Sequence, residues 1–151
     1  MKQKKEGFTL IEWMMVVAII AIIAAIAVPN LLRSRIQANE VAAVSDLRSI
    51  CAGQIACSTA RRTFGDFATL VSETDGAGTA FLDNSWYEGR VKAGYSFNMV
   101  EADPDSFTCF ADPVSLGVTG GRFFRIDVSG IVRYDAAGRP APDAPGLNSG
   151  S

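Results

Sequence analysis

No histidine occurs among the 151 residues. That removes Ser-His-Asp and Cys-His catalysis together with the commonest transition-metal ligand. Cysteine is scarce, with Cys51, Cys57 and Cys109 as the whole set, and none of their spacings is the C-x-x-C of a zinc or thiol-redox site. There is no glycine-rich phosphate loop and no paired-carboxylate pattern, so an enzyme is the least supported class and neither metal nor cofactor is expected. Calcium has only Asp103-Pro104-Asp105 and Asp83-Asn84 to draw on, and these read as turns rather than a ligand set. Net charge is −2, and the only basic cluster is Lys2, Lys4 and Lys5. Without a basic face elsewhere, nucleic acid is not an expected partner.

What is present is concentrated at the N-terminus. After Glu12, the sixteen residues Trp13 to Val28 carry no charge. Phe8 to Val28 as a helix is about 31 Å long, enough for a hydrocarbon core of about 30 Å. A carboxylate inside such a run costs roughly 2.5–3.5 kcal/mol even on lenient insertion scales, so Glu12 needs a reason to be there. Ala24, Ala25 and Ala27 near the end of the run raise a secretory signal peptide as an alternative. The spanning length opposes it, as does the helical pattern that continues after Pro29. The lysines favour a cytoplasmic N-terminus, an asymmetry that Arg33 and Arg35 weaken.

Pro29 kinks a helix without having to end it. Beyond it Leu32, Ile36, Val41, Val44, Leu47, Cys51 and Ile55 recur mostly at three- or four-residue steps, which predicts one apolar stripe on an amphipathic helix. One nearly continuous helix is therefore expected from Phe8 to about Ala60, roughly 80 Å at the standard rise. Residues 61–94 are irregular, with turn chemistry at Thr74-Asp75-Gly76-Ala77-Gly78. The later chain alternates: Tyr95-Phe97-Met99, then Phe107-Cys109-Ala111, then a hairpin from Phe123 to Tyr134 around Ser129-Gly130. The fold class expected is α+β, a long N-terminal helix whose second half packs on a small four-stranded antiparallel meander. The divisions are a leader at 1–7, a membrane or filament-core helix at 8–28, its amphipathic continuation at 29–60, a globular domain at 61–135 and a loose Gly/Pro-rich tail at 136–151.

A basic leader ending in Gly7, then Phe8-Thr9-Leu10-Ile11-Glu12, then an apolar run to Pro29-Asn30, resembles the type IV pilin family, which includes major and minor pilins and the pseudopilins of type II secretion. The resemblance implies a prepilin peptidase cutting between Gly7 and Phe8 in the cytoplasm and N-methylation of the new Phe8 amine. It implies that Glu12 pairs with that amine, generally on a neighbouring subunit, which would offset the cost of its burial. Partners implied are further copies or other pilins, the peptidase, the inner-membrane assembly machinery and, before assembly, lipid. The location implied is the inner membrane and then an extracellular pilus or periplasmic pseudopilus. Two positions depart from the family pattern: Trp13 stands where Leu is usual, and Ala21 where many members have Gly. A pseudopilin or minor pilin is the rival within the class, and a single-pass anchored periplasmic binding module is the rival outside it.

Cys51 and Cys57 lie about 9 Å apart along a regular helix and on different faces, beyond the reach of a bridge unless the helix breaks near Gly53. Cys57–Cys109, Cys51–Cys109 and three reduced thiols all remain open.

Overall fold

The computed structural model describes residues 8–72 and 80–147. The chain divides into two compact units, residues 1–34 and 35–151. Helix α1 (Leu10–Arg61) runs through Pro29 without ending there. It stops where Arg62 takes a left-handed φ of 58°. The Arg62 N–H then donates to the Ser58 carbonyl at 2.9 Å, closing the last turn. The expected helix is thus present to within two residues at its start and one at its end.

In the second unit, α1 is followed by a short helix α2 (Phe67–Val71) and five strands: β1 (Arg90–Lys92), β2 (Tyr95–Ala102), β3 (Phe107–Pro113), β4 (Phe123–Asp127) and β5 (Arg133–Asp135). Their order in the sheet is β1-β2-β3-β4-β5 with every neighbour antiparallel, the meander expected but with one strand more. The extra strand, β1, lies in the stretch read as irregular; at three residues it is too short for alternation to show. The predicted turn at Thr74–Gly78 lies outside the described residues. Along β2, β3 and β4 the inward positions Tyr95, Phe97, Phe107, Cys109, Ala111, Phe124 and Ile126 are fully or almost fully buried. A ring cluster joins α2 to the sheet. Phe67 stacks on Trp86 at 6.0 Å, and Trp86 meets the edge of Phe97 at 5.2 Å.

The helix face on this core differs from the expected stripe. The buried positions are Glu40, Ala43, Leu47, Ile50, Cys51, Gly53, Gln54 and Cys57. Of the predicted stripe only Leu47 and Cys51 are among them, while Val41 is 71% and Ile55 56% exposed. The contact is chosen by size and by hydrogen bonding as much as by hydropathy. A Cβ on Gly53 would come within 3.1 Å of the Leu82 side chain and 3.2 Å of the Phe81 carbonyl, so the loop before β1 lies on a helix surface left bare. Gln54, fully buried, clasps the backbone of Gly65 in both directions: Nε2 donates to its carbonyl at 2.5 Å and Oε1 accepts its N–H at 3.0 Å. A leucine at position 54 would leave both backbone groups without partners, at about 1–3 kcal/mol for each buried group stranded.

The chain after Asp135, expected as a loose tail, is fastened as far as it is described. Arg139 donates from Nη2 and Nε to the Asp112 carboxylate at 2.6 and 3.0 Å and lies over the Phe110 ring at 4.8 Å. Gly146 bridges to Arg133, the Leu147 N–H donates to the Val132 carbonyl at 2.9 Å, and Leu147 packs against the core. Composition rich in Gly and Pro identified a segment without regular structure, but not the contacts that hold it.

Candidate functional site

Among its described residues the first unit has no buried core. Every large apolar side chain from Leu10 to Val28 is at least 49% exposed. This part of α1 is long and apolar enough to cross a membrane by length and composition. A continuous apolar surface of that extent is unfavourable in water and calls for lipid or other helices around it.

At the start of this surface the backbone is organised by two polar side chains. Thr9 is the N-cap of α1. Its N–H donates to Glu12 Oε2 at 2.8 Å and its hydroxyl to the same oxygen at 2.6 Å, while the Glu12 N–H reaches back to Thr9 Oγ1 at 3.4 Å. This is a reciprocal capping box: the N-cap side chain serves an N–H of the first turn, and the third helical residue serves the N-cap. Without it the first N–H groups of the helix would lack partners, since no water is available to them in an apolar surrounding. The Thr-x-x-Glu pattern was in plain view in the sequence, where Glu12 is read for its charge alone. Phe8 and Trp13, the residues before the N-cap and at the fourth helical position, line one apolar concavity with Val16. These are the two positions that form a hydrophobic staple. Trp13 thus stands where it shapes the chain's entry into the helix.

Of the other expected site residues, Gly7 lies outside the described residues. Phe8 is 79% exposed. Pro29 is inside α1. Cys51, Cys57 and Cys109 are free and buried, and no bridge joins Cys57 or Cys51 to Cys109 in this structure. Burial pushes all three thiols up from their ordinary range, Cys109 most strongly, which keeps them protonated and unreactive at neutral pH. A thiol titration with Ellman's reagent should therefore find none of the three in the native chain and all three in guanidinium. A count of one after denaturation without reductant would reveal a bridge. Asp103 Oδ1 accepts the N–H groups of Asp105 and Ser106 at 2.9 and 2.8 Å, so this carboxylate builds its own turn.

In the second unit a polar contact crosses between α1 and the loop before β4. Glu40, 6% exposed, accepts the Gly121 N–H at 2.9 Å on Oε1 and, on Oε2, Arg122 Nη2 at 2.5 Å and Nε at 3.0 Å. The guanidinium also lies over Tyr134 at 5.0 Å. Read from sequence, Glu40 belongs to the solvated side of the helix. Its partner is 82 residues away, and no local pattern announces it.

Residues 2–28 match the family described as the prokaryotic N-terminal methylation motif. The chain is 37% identical over 68 residues to the type IV major pilin protein PilA of Myxococcus xanthus, covering 45% of this chain and 31% of that protein. It is 60% identical over 35 residues to the type IV wide pilus major component PilA4 of Thermus thermophilus, covering 23% of this chain and 27% of that one. It is 44% identical over 46 residues to the type II secretion system core protein G of Aeromonas hydrophila, covering 30% and 32%. The chain thus spans about a third of the length of the curated relatives it matches.

Proposed function

We propose, for a chain that belongs through its N-terminal segment to the type IV pilin family, that it is a structural subunit of a type IV pilus or pilus-like filament. The observation that carries this reading is the uncovered apolar surface of residues 10–28 with one carboxylate near its start. Such a helix is at home first in lipid and then among like helices. The precursor enters the inner membrane with residues 1–7 in the cytoplasm, and prepilin peptidase hydrolyses the Gly7–Phe8 peptide bond. A residue without Cβ at position 7 lets an extended backbone lie close in the protease cleft. The freed Phe8 amine is methylated, which keeps its charge. Subunits then join through their N-terminal helices with the help of the assembly machinery. The protein itself performs no chemistry.

The capping box gives Glu12 a division of labour. Oε2 is engaged by Thr9 of the same chain, and Oε1 takes no hydrogen bond within it among the described residues. That second oxygen is available to the positive Phe8 amine of a neighbour. In a low-dielectric surrounding the pair is attractive, and an unmatched carboxylate is costly, so register is enforced. The likeness to core protein G supports a second reading, a type II secretion pseudopilin with a periplasmic pseudopilus. The two readings share processing and assembly and differ in where the filament is found.

Changing Gly7 to phenylalanine tests the processing step. The expected outcome is a membrane-held chain retaining residues 1–7 and absent from filaments. A chain shortened as in the wild type would exclude this role for Gly7.

A further inference from the structure

Resting on the filament reading, we propose that the loop between β3 and β4 is a knob that docks into a groove on the next copy of this chain. The docking joins globular units directly, beyond the contacts of the N-terminal helices. The loop Val114-Ser115-Leu116-Gly117-Val118 carries no charge, and its three apolar side chains are 55–57% exposed. It is nevertheless fixed. The Ser115 N–H donates to Thr119 Oγ1 at 3.0 Å, the Thr119 N–H donates to the Ser115 carbonyl at 2.9 Å, and the Gly117 N–H donates to the Gly120 carbonyl at 2.8 Å. Gly117 at φ 79° supplies the left-handed residue at the tip, with open space where a Cβ would be. The base is pinned on both sides: the Val114 N–H donates to the Gly94 carbonyl at 3.0 Å, and Asn39 Nδ2 donates to the Thr119 carbonyl at 2.9 Å. An apolar tip held this firmly loses little entropy on docking, the condition under which a small contact gives useful affinity.

The groove lies on the other flank of α1. At 100° per residue, Asn39 and Asp46 leave the helix on one side of Glu40, and Val41, Val44, Ser45 and Arg48 on the opposite side. Val41, Val44, Ser45 and Arg48, with Phe124 and Leu147, line an open groove. At its edge the Glu40–Arg122 pair is already internally neutralised, which leaves Arg48 as the one lining charge without an ion-pair partner among the described residues. Arg48, exposed and without an acidic partner within ion-pair distance among the described residues, can donate to backbone carbonyls of the entering loop. A knob on one flank docking into a groove on the other would make a heterologous interface, the kind that propagates as an open helix instead of closing a dimer.

The test is disulfide trapping in assembled filaments, which the buried native thiols leave free of background. Filaments of a Leu116→Cys, Val41→Cys double variant, oxidised with copper phenanthroline, should give a ladder of dimers, trimers and higher species. Each single variant should give none. Filaments without a ladder, or dimers from a single variant, would overturn the docking and leave the filament reading standing. Absence of the wild-type chain from any filament would overturn both. Leu116→Asp keeps the test decisive if the cysteine pair lowers assembly. Cleaved, folded subunits should then appear in filaments at least tenfold less than wild type, and wild-type levels would refute the knob.

Discussion

Glu12→Ala should reduce the chain's presence in filaments at least tenfold, while the precursor still inserts in the membrane and the second unit still folds. Two losses combine in this variant. The Glu12 half of the capping box disappears, leaving the Thr9 N–H and hydroxyl without their acceptor while the bond from the residue-12 N–H to Thr9 Oγ1 survives. The carboxylate available to a neighbour's amine disappears as well, leaving that ammonium without its counter-charge in an apolar surrounding. Glu12→Gln separates the two, because a glutamine can close a capping box without carrying charge. If pairing is what selects Glu12, Glu12→Gln assembles as poorly as Glu12→Ala. Recovery by glutamine would assign the residue to helix capping alone. Quantifying the subunit in sheared filaments and in membranes reads both arms.

The second large effect is expected in the globular unit, at Gly120. A Cβ there would lie 2.0 Å from Tyr95 Oη and 2.4 Å from its Cζ. Tyr95 is fully buried, its hydroxyl donates to the Arg122 carbonyl at 2.9 Å, and its ring meets Phe124 at 5.7 Å. The phenol therefore cannot move aside without vacating the core and stranding a backbone carbonyl. Burial also pushes its acidity well below that of a free phenol, so ionisation offers no escape near neutral pH. Gly120→Ala should cost at least about 3 kcal/mol, the scale of losing a buried aromatic contact. For a unit of this size that is a fall in Tm of about 10 °C or more. Gly138→Ala is the matched control, since nothing stands within 4 Å of its Cβ position. Thermal unfolding of the full chain in detergent, followed by near-ultraviolet circular dichroism, compares the two. Equal melting temperatures would show that the Tyr95–Gly120 contact is not what holds this loop.

The parts of this protein that were legible in the sequence are those written in neighbouring residues. The uncharged run after Glu12 is local, and so is the alternation of Tyr95, Phe97, Phe107 and Cys109 that makes the meander readable. What escaped depends on residues far apart or on small ones. Ala43 and Gly53 help to form the packing face because they are small, a quality that a hydropathy stripe does not score, so the stripe predicts Val41 and Ile55 inside while both are exposed. Glu40 is buried because Arg122 and the Gly121 N–H satisfy it, and the helix sequence alone shows only a carboxylate among polar neighbours. The segment after Asp135 has the composition of a tail and the contacts of a strap, fastened by Arg139 to Asp112. Thr9 is a different case. Its bond to Glu12 is the most local interaction of all, written in the Thr-x-x-Glu spacing and masked by the charge of Glu12.

The proposed function requires this helix to pass from lipid to a bundle of like helices. The most direct test is a mass spectrum of the subunit's N-terminal peptide, taken from filaments isolated outside the inner membrane. The expected peptide begins at Phe8 and carries one methyl group on its amine. A peptide beginning at Met1 or Lys2 would contradict processing at Gly7–Phe8 and favour a single-pass anchored module in place of a filament subunit.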